Sequence, residues 1–237
     1  MRLDKYLVST GEFSRKEAAK VIRAGRVSVD GAPERKPERH IDTLAHVSVD
    51  GKELEYKEFR YIMLNKPAGY VSSTDDPGAP TVLELLPEKY AKMGFFPCGR
   101  LDRDTVGLMI MTNDGKSAHY ALSPAHHVEK TYFYRCEKPL GEEDAQKLRE
   151  GVKIGGGYLT KPCKLEASGQ CEGKITLTEG KYHQIKEMFY SVGNAIVFLE
   201  RVSFGGINLD PTLERGQYRE LTSEEERLFC NDQSGDI

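Results

Sequence analysis

Arg100, Asp102, Arg103 and Asp104 stand together in the stretch GRLDRDTVGLMIMTND, residues 99–114, just ahead of the apolar run Leu108-Met109-Ile110-Met111. Placing such charge beside a buried strand is costly unless the charges are paired. One chemistry that fits is a carboxylate kept ionised by neighbouring cations, ready for nucleophilic or general-base work. The other reading is a structural Arg–Asp network at a sheet edge. A calcium loop does not fit. Val106 takes the place of its third ligand, and Asn113 replaces the glutamate at its twelfth position.

Other candidate chemistry falls away on inspection. His126 and His127 are adjacent, point in different directions on an extended chain, and have no Cys or His at ligand spacing, so a metal site is not expected. Gly155-Gly156-Gly157 lacks the Lys-Ser/Thr of a phosphate loop and reads as a turn. There is no G-x-S-x-G elbow and no glycine fingerprint opening a helix after a strand. Aspartate, tyrosine and lysine chemistry without a cofactor is what remains.

Two kinds of element must position these groups. In FSRKEAAKVIRAGRVSVDG, Ser14 and Glu17 form a capping-box signature, Ala18, Val21 and Ile22 share one helical face, and Gly25 stops the helix. Leu3, Tyr6 and Leu7 make a shorter helical face before it. VSVDG occurs at residues 27–31 and again at 47–51, each copy a strand entering a tight Asp-Gly turn. Beyond GKELEYKEFR the character changes. YIMLNKP, GLMIMT, KTYFYRCEK, KITLTEG and AIVFLERVSF read as strands, while GEEDAQKLREG and KYHQIKEMFYSVGN read as helices. In the second helix Ile185, Met188, Phe189 and Val192 share the apolar face, and Lys186 points away from it. The spacing predicts an α+β chain with a boundary near residue 59: a small domain of two helices and short strands over 1–58, then a mixed, mainly antiparallel sheet over 59–237.

A chain of 237 residues, 38% hydrophobic and 30% charged, has the composition of a folded globular protein. No apolar run reaches the roughly 20 residues that span a bilayer, and MRLDKYL opens without the apolar core of a signal peptide. Five cysteines, odd in number and without a C-x-x-C pair, fit the reduced thiols of a cytoplasmic protein. The net charge of −3 divides unevenly. Residues 1–40 hold ten Lys/Arg against six Asp/Glu, which is +4, so the remainder carries −7. A basic head on an acidic body is the pattern of a nucleic-acid contact. The run MRLDKYL…FSRKEAAKVIRAGRVSVDG resembles the S4 RNA-binding domain. That resemblance makes Arg2, Lys5, Ser14, Arg15, Lys16, Arg23 and Arg26 candidate RNA contacts.

GRLDRDTVGLMIMTNDG, HHVEKTYFY and EGKYHQIKEMF together resemble the three motifs of the pseudouridine synthases, in the branch that places an S4 domain ahead of the catalytic domain. The likeness extends through NKPAGYVSSTDDPGAPTVLELL and LERVSFGGINLDPTLERGQYRELT, and so over essentially the whole chain. STDDP and SPAHHVEKTY look most like the enzymes of small-subunit (16S) rRNA, whose family site is uridine 516. Large-subunit enzymes, or an RNA-binding or ribosome-assembly protein retaining a dead catalytic domain, are the alternatives. The resemblance implies that Asp102 is the catalytic aspartate, which would capture or stabilise the sugar as the N1–C1′ bond breaks. Tyr132 would lie against the flipped base and help remove its C5 proton. Lys186 would pair with Asp102. An ammonium within about 4–6 Å lowers a carboxylate pKa by roughly 1–3 units. Leu199 would be the apolar contact to the base, Arg100 and Arg103 would hold the loop or approach phosphates, and Asp104 would cap the turn. No redox or phosphoryl step occurs, so no cofactor is implied. The implied partner is ribosomal RNA, in an assembling small-subunit particle, and nothing in the chain demands more than a monomer.

Overall fold

A computed structural model describes residues 1–230; the last seven residues of the expected second domain lie outside it. The chain separates into two units, Met1–Arg60 with Leu83–Phe96, and Tyr61–Val82 with everything from Pro97 on.

In the first unit, α1 (Leu3–Ser9) buries Leu3, Tyr6 and Leu7, and α2 (Arg15–Arg23) buries Ala18, Val21 and Ile22. The capping box is formed. Ser14 Oγ accepts from Glu17 N at 3.3 Å, and Glu17 Oε2 accepts from Ser14 N at 2.7 Å. Strands β1 (Val27–Val29), β2 (Ala32–Glu34), β3 (Val47–Val49) and β4 (Lys52–Leu54) make an antiparallel sheet in the order β2-β1-β3-β4. The two VSV copies pair with each other, Val27 opposite Val49 and Val29 opposite Val47, so all four valines enter one core. Both repeats end in the same turn, with φ +51° at Asp30 and Asp50 and +81° at Gly31 and Gly51, as a two-residue type I′ hairpin requires. A further helix, α3 (Glu88–Lys92), belongs to this unit and sets Tyr90 edge-on to Phe95.

The second unit is built on a mixed sheet. Its strands are β5 (Tyr61–Lys66), β7 (Val106–Thr112), entered through β6 (Phe96–Pro97), β8 (Lys130–Cys136), β11 (Lys164–Ala167), β12 (Glu172–Leu177), β13 (Ile196–Phe204), β14 (Ile207–Asn208) and β15 (Tyr218–Glu220). Along the order β11-β12-β8-β13-β7-β5-β15 every pairing is antiparallel except β13 with β7. β5 and β7 are buried at every position, which is why they read as near-continuous apolar runs. β9 (Lys153–Ile154) and β10 (Tyr158–Leu159) form a separate hairpin around the triple glycine. Among the described residues four α-helices complete the unit: α4 (Gly115–Leu122), α5 (Glu142–Glu150), α6 (Gln184–Ser191) and α7 (Ser223–Cys230). Asp114 caps α4, accepting from Lys116 N, Ser117 N and the Tyr61 hydroxyl. On one side of the sheet, Leu148 of α5 and Ile185, Met188 and Phe189 of α6 pack with Tyr134, Ile175, Leu177 and Leu199. Among the described residues no helix is long and apolar enough to cross a membrane.

Candidate active site

The loop holding Asp102 is fixed from beneath by a lysine. Lys66, at the end of β5 and wholly buried, donates from Nζ to the carbonyl oxygens of Thr105 (2.8 Å), Asp102 (3.1 Å), Arg103 (3.3 Å) and Pro67 (3.1 Å). Burial pushes this ammonium down to about 8, with Asp104 and Asp102 acting against that shift. Ser72 Oγ donates to Leu101 O and accepts from Leu101 N, closing the other side of the loop. Gly107 lets β7 approach β13. At φ +101° its place leaves no room for a side chain, because a Cβ would lie 2.3 Å from Arg201 O.

α6 brings the cation. Lys186 Nζ sits 2.9 Å from Asp102 Oδ2 and 2.7 Å from Asp104 Oδ1. Burial opposes its charge, but the bonds to Asp104 and Asp102 outweigh burial and hold the ammonium above the ordinary lysine range. Asp104 was expected to cap the turn. Its carboxylate instead becomes the second acceptor of Lys186, while the turn is closed by Thr105 N donating to Asp102 O. His183, preceding α6, has φ +49°, a left-handed conformation that is uncommon outside glycine. It places Nε2 3.5 Å from Asp102 Oδ1. Glu179 anchors this entry to the helix. Buried, it accepts from Tyr158 Oη (2.6 Å), Gln184 Nε2 (2.6 Å) and Lys161 N (3.0 Å). Burial raises its pKa, but these bonds prevail and keep the carboxyl below its usual range.

Asp102, Tyr132, Lys186 and Leu199 line one cavity of about 670 Å³, together with Arg100 and Arg103. Tyr132 on β8 lies opposite Arg201 on β13, and Leu199 is buried two residues before it. The two arginines differ. Arg103 donates from Nε to Gly69 O at 3.0 Å and so ties the loop down. Arg100 is exposed, and its guanidinium has no hydrogen bond or ion pair among the described residues.

Sequence reasoning missed several residues of the wall. Arg201, 1% exposed, donates from Nε to Leu108 O at 2.7 Å and has its guanidinium carbon 5.1 Å from the Phe204 ring centre. Lys130 is buried beside the same ring, and burial first, then Arg201, pushes its ammonium down to about 8. The Thr105 hydroxyl is buried and without a partner among the described residues. Lys130 and Arg201 recur at even spacing with Tyr132 and Leu199 on strands that pair, which was the available signal. Reading it required the pairing.

In the first unit the seven candidate RNA contacts split. Lys5, Arg15, Lys16 and Arg23 are exposed and make no side-chain ion pair among the described residues. Arg2 is bound by Asp4 and Arg26 by Asp50. The Ser14 hydroxyl is occupied as the helix cap.

A carboxylate held by one lysine, facing a tyrosine and an apolar wall over buried cations, suits chemistry on a flat, polar ring. Known proteins give this arrangement a family. The model of the RNA pseudouridylate synthases matches residues 60–191, and that of the S4 domain matches residues 1–43. The chain belongs to the RNA pseudouridylate synthase family, as a member with an S4 head, and is thereby an RNA pseudouridine synthase. It is 46% identical to the uncharacterized RNA pseudouridine synthase YtzG of Bacillus subtilis (strain 168), over 99% of this chain and 100% of that protein. It is 45% identical to the ribosomal small subunit pseudouridine synthase A of Escherichia coli (strain K12), over 95% of this chain and 98% of that protein. A solved crystal structure of a pseudouridylate synthase, 38% identical, superposes with a TM-score of 0.68 over 96% of this chain and 99% of that one.

Proposed function

We propose that this enzyme isomerises one uridine of small-subunit 16S rRNA, at the family site uridine 516, using Asp102 on a base flipped into the cavity. The observation that carries the chemistry is the shared cavity. Asp102, fixed by Lys186 at 2.9 Å, faces Tyr132 and Leu199 across a space large enough for a nucleoside. The target base leaves the RNA stack and lies between Tyr132 and Leu199. The N1–C1′ bond breaks with its electron pair passing to the uracil, and the carboxylate of Asp102 captures or balances the electron-poor sugar. The charged ends of Lys130 and Arg201 only donate hydrogen bonds, so they suit the O2 and O4 oxygens of uracil and the negative charge that the freed ring carries. The orphan Thr105 hydroxyl can meet the same oxygens. After the ring turns, C5 bonds to C1′ as any bond from Asp102 to C1′ breaks with its electron pair returning to the carboxylate, and C5 then loses its proton with help from the Tyr132 hydroxyl. N1 gains a proton, so the balance is zero and no other reactant is consumed.

The rRNA assignment rests on the extent of likeness to the E. coli small-subunit enzyme, with the S4 unit of residues 1–58 as the RNA grip and residues 59–237 as the catalytic domain. The enzyme works in the cytoplasm, as a monomer, on a particle in assembly. A nucleotide-resolution map of pseudouridine in rRNA from cells lacking the gene tests this. Loss of one small-subunit site supports it. Loss of a large-subunit site keeps the reaction and overturns the substrate.

A further inference from the structure

Tyr182 is 76% exposed at the rim of the cavity that Asp102 lines. One of its faces is already supported. The His183 imidazole lies nearly parallel beneath it, with ring centres 3.8 Å apart and planes inclined by 20°. The other face is open. Beside it runs a second groove of about 380 Å³, bounded by Tyr182, Tyr158 and Lys181 together with Gly155, and those three side chains also line the first cavity. Lys181 Nζ stands 4.5 Å above the Tyr158 ring, and Lys161 Nζ lies 3.3 Å from His127 Nδ1 on the same rim. The far wall carries Glu187, an acceptor that suits the amino group of a base edge and repels a phosphate.

We propose that Tyr182, backed by His183, is a stacking platform for the unpaired nucleotide next to the target uridine, with Lys181 and Lys161 receiving the adjoining phosphates. This rests on the enzyme acting on RNA through the Asp102 cavity. A nucleotide extruded into the cavity leaves its neighbour unstacked at the rim, where a flat ring with one free face replaces the lost stacking partner. Lysines flank that ring, and the groove and the cavity share Tyr158, Lys181 and Tyr182. Glu179 ties Tyr158, the Lys161 backbone and Gln184 together in the wall of the same cavity. Stacking of this kind tolerates any base, so the platform adds affinity and register more than sequence preference.

The test uses the full-length enzyme and single-stranded RNA oligonucleotides holding one uridine, with 2-aminopurine on its 5′ side in one and its 3′ side in the other. Wild type should quench the fluorophore strongly in one of the two. Tyr182→Ala should abolish that quenching and weaken binding about five- to a hundred-fold, a loss seen in KM more than in kcat. Tyr182→Phe and Tyr182→Trp should restore both, and Lys181→Gln should flatten the salt dependence of binding. Quenching and affinity unchanged in Tyr182→Ala would overturn the platform, as would wild type that binds neither oligonucleotide. A protein covering the ring in place of RNA would give that unchanged result. Failure of Tyr182→Phe would overturn it too, since the hydroxyl and not the ring would then be responsible. Strong quenching by wild type with no pseudouridine formed would instead count against the catalytic reading and leave the platform standing.

Discussion

Lys186 holds two carboxylates at once, Asp102 at 2.9 Å and Asp104 at 2.7 Å, so removing it leaves like charges facing each other in a half-buried site. Lys186→Met should lower kcat by about 100-fold or more. Lys186→Arg, which keeps the charge, should retain most activity; equal loss in both variants would show that geometry, and not charge, is what Asp102 needs. The buried lysines set an alkaline limit. Lys66 and Lys130 both lie near 8 in the folded protein against an ordinary 10.5. As Lys66 loses its proton it loses donors to the loop, and Lys130 loses the charge offered to the base, so kcat should fall as pH rises through about 8. Stability moves the other way. The unfolded chain binds more protons than the folded one between about 8 and 10.5, so these two groups add stability as pH rises through that window. A pH–rate profile beside thermal denaturation separates the effects: activity should drop while the contribution of these lysines to stability increases. Activity that stays flat to pH 10 would contradict the roles given to them.

The elements are tuned for close approach. Gly107→Ala puts a Cβ 2.3 Å from Arg201 O at a φ of +101° and should destabilise the protein by more than about 2 kcal/mol. Ser14→Ala, which removes one half of a capping box, should cost about 1 kcal/mol. Chemical denaturation measures both, and a Gly107→Ala variant as stable as wild type would mean that β7 and β13 can separate without penalty. Elements written in local pattern were legible before the structure. Val-x-Val followed by Asp-Gly declared β1 and β3, Ser14 with Glu17 declared the start of α2, and the apolar runs declared β5 and β7. The helix at Glu88–Lys92 had no such signal. Nor did the parallel pairing of β13 with β7, because register between strands some ninety residues apart depends on packing and not on neighbours. The same limit hid Lys66, Lys130 and Arg201. Each reads locally as a cation in or beside a strand, and only the closed sheet shows that all three are buried, Lys130 and Arg201 in the cavity wall and Lys66 beneath the Asp102 loop. His183 was hidden differently, since nothing in the local pattern marks its left-handed φ.

At the scale of the whole molecule, charge and chemistry are divided along the chain. The first forty residues carry +4 and the rest −7, and Lys5, Arg15, Lys16 and Arg23 stand exposed without ion-pair partners among the described residues. Neutralising Arg15, Lys16 and Arg23 together should weaken binding of a 16S rRNA fragment and reduce the slope of log K against log salt by about 0.7–0.9 for each phosphate the protein no longer neutralises. Changing Arg2 or Arg26 should have less effect, because Asp4 and Asp50 already hold them. An unchanged slope in the triple variant would remove α2 from the RNA-binding surface. Asp102→Asn removes the one carboxylate to which the isomerisation is assigned and leaves the side chain's shape nearly unchanged. Cells lacking the gene are complemented with wild type or with Asp102→Asn, and pseudouridine is mapped across their rRNA. A single small-subunit site restored by wild type and absent with Asp102→Asn, whose purified protein still binds RNA, is the expected result. Full restoration by Asp102→Asn would show that the chemistry resides elsewhere.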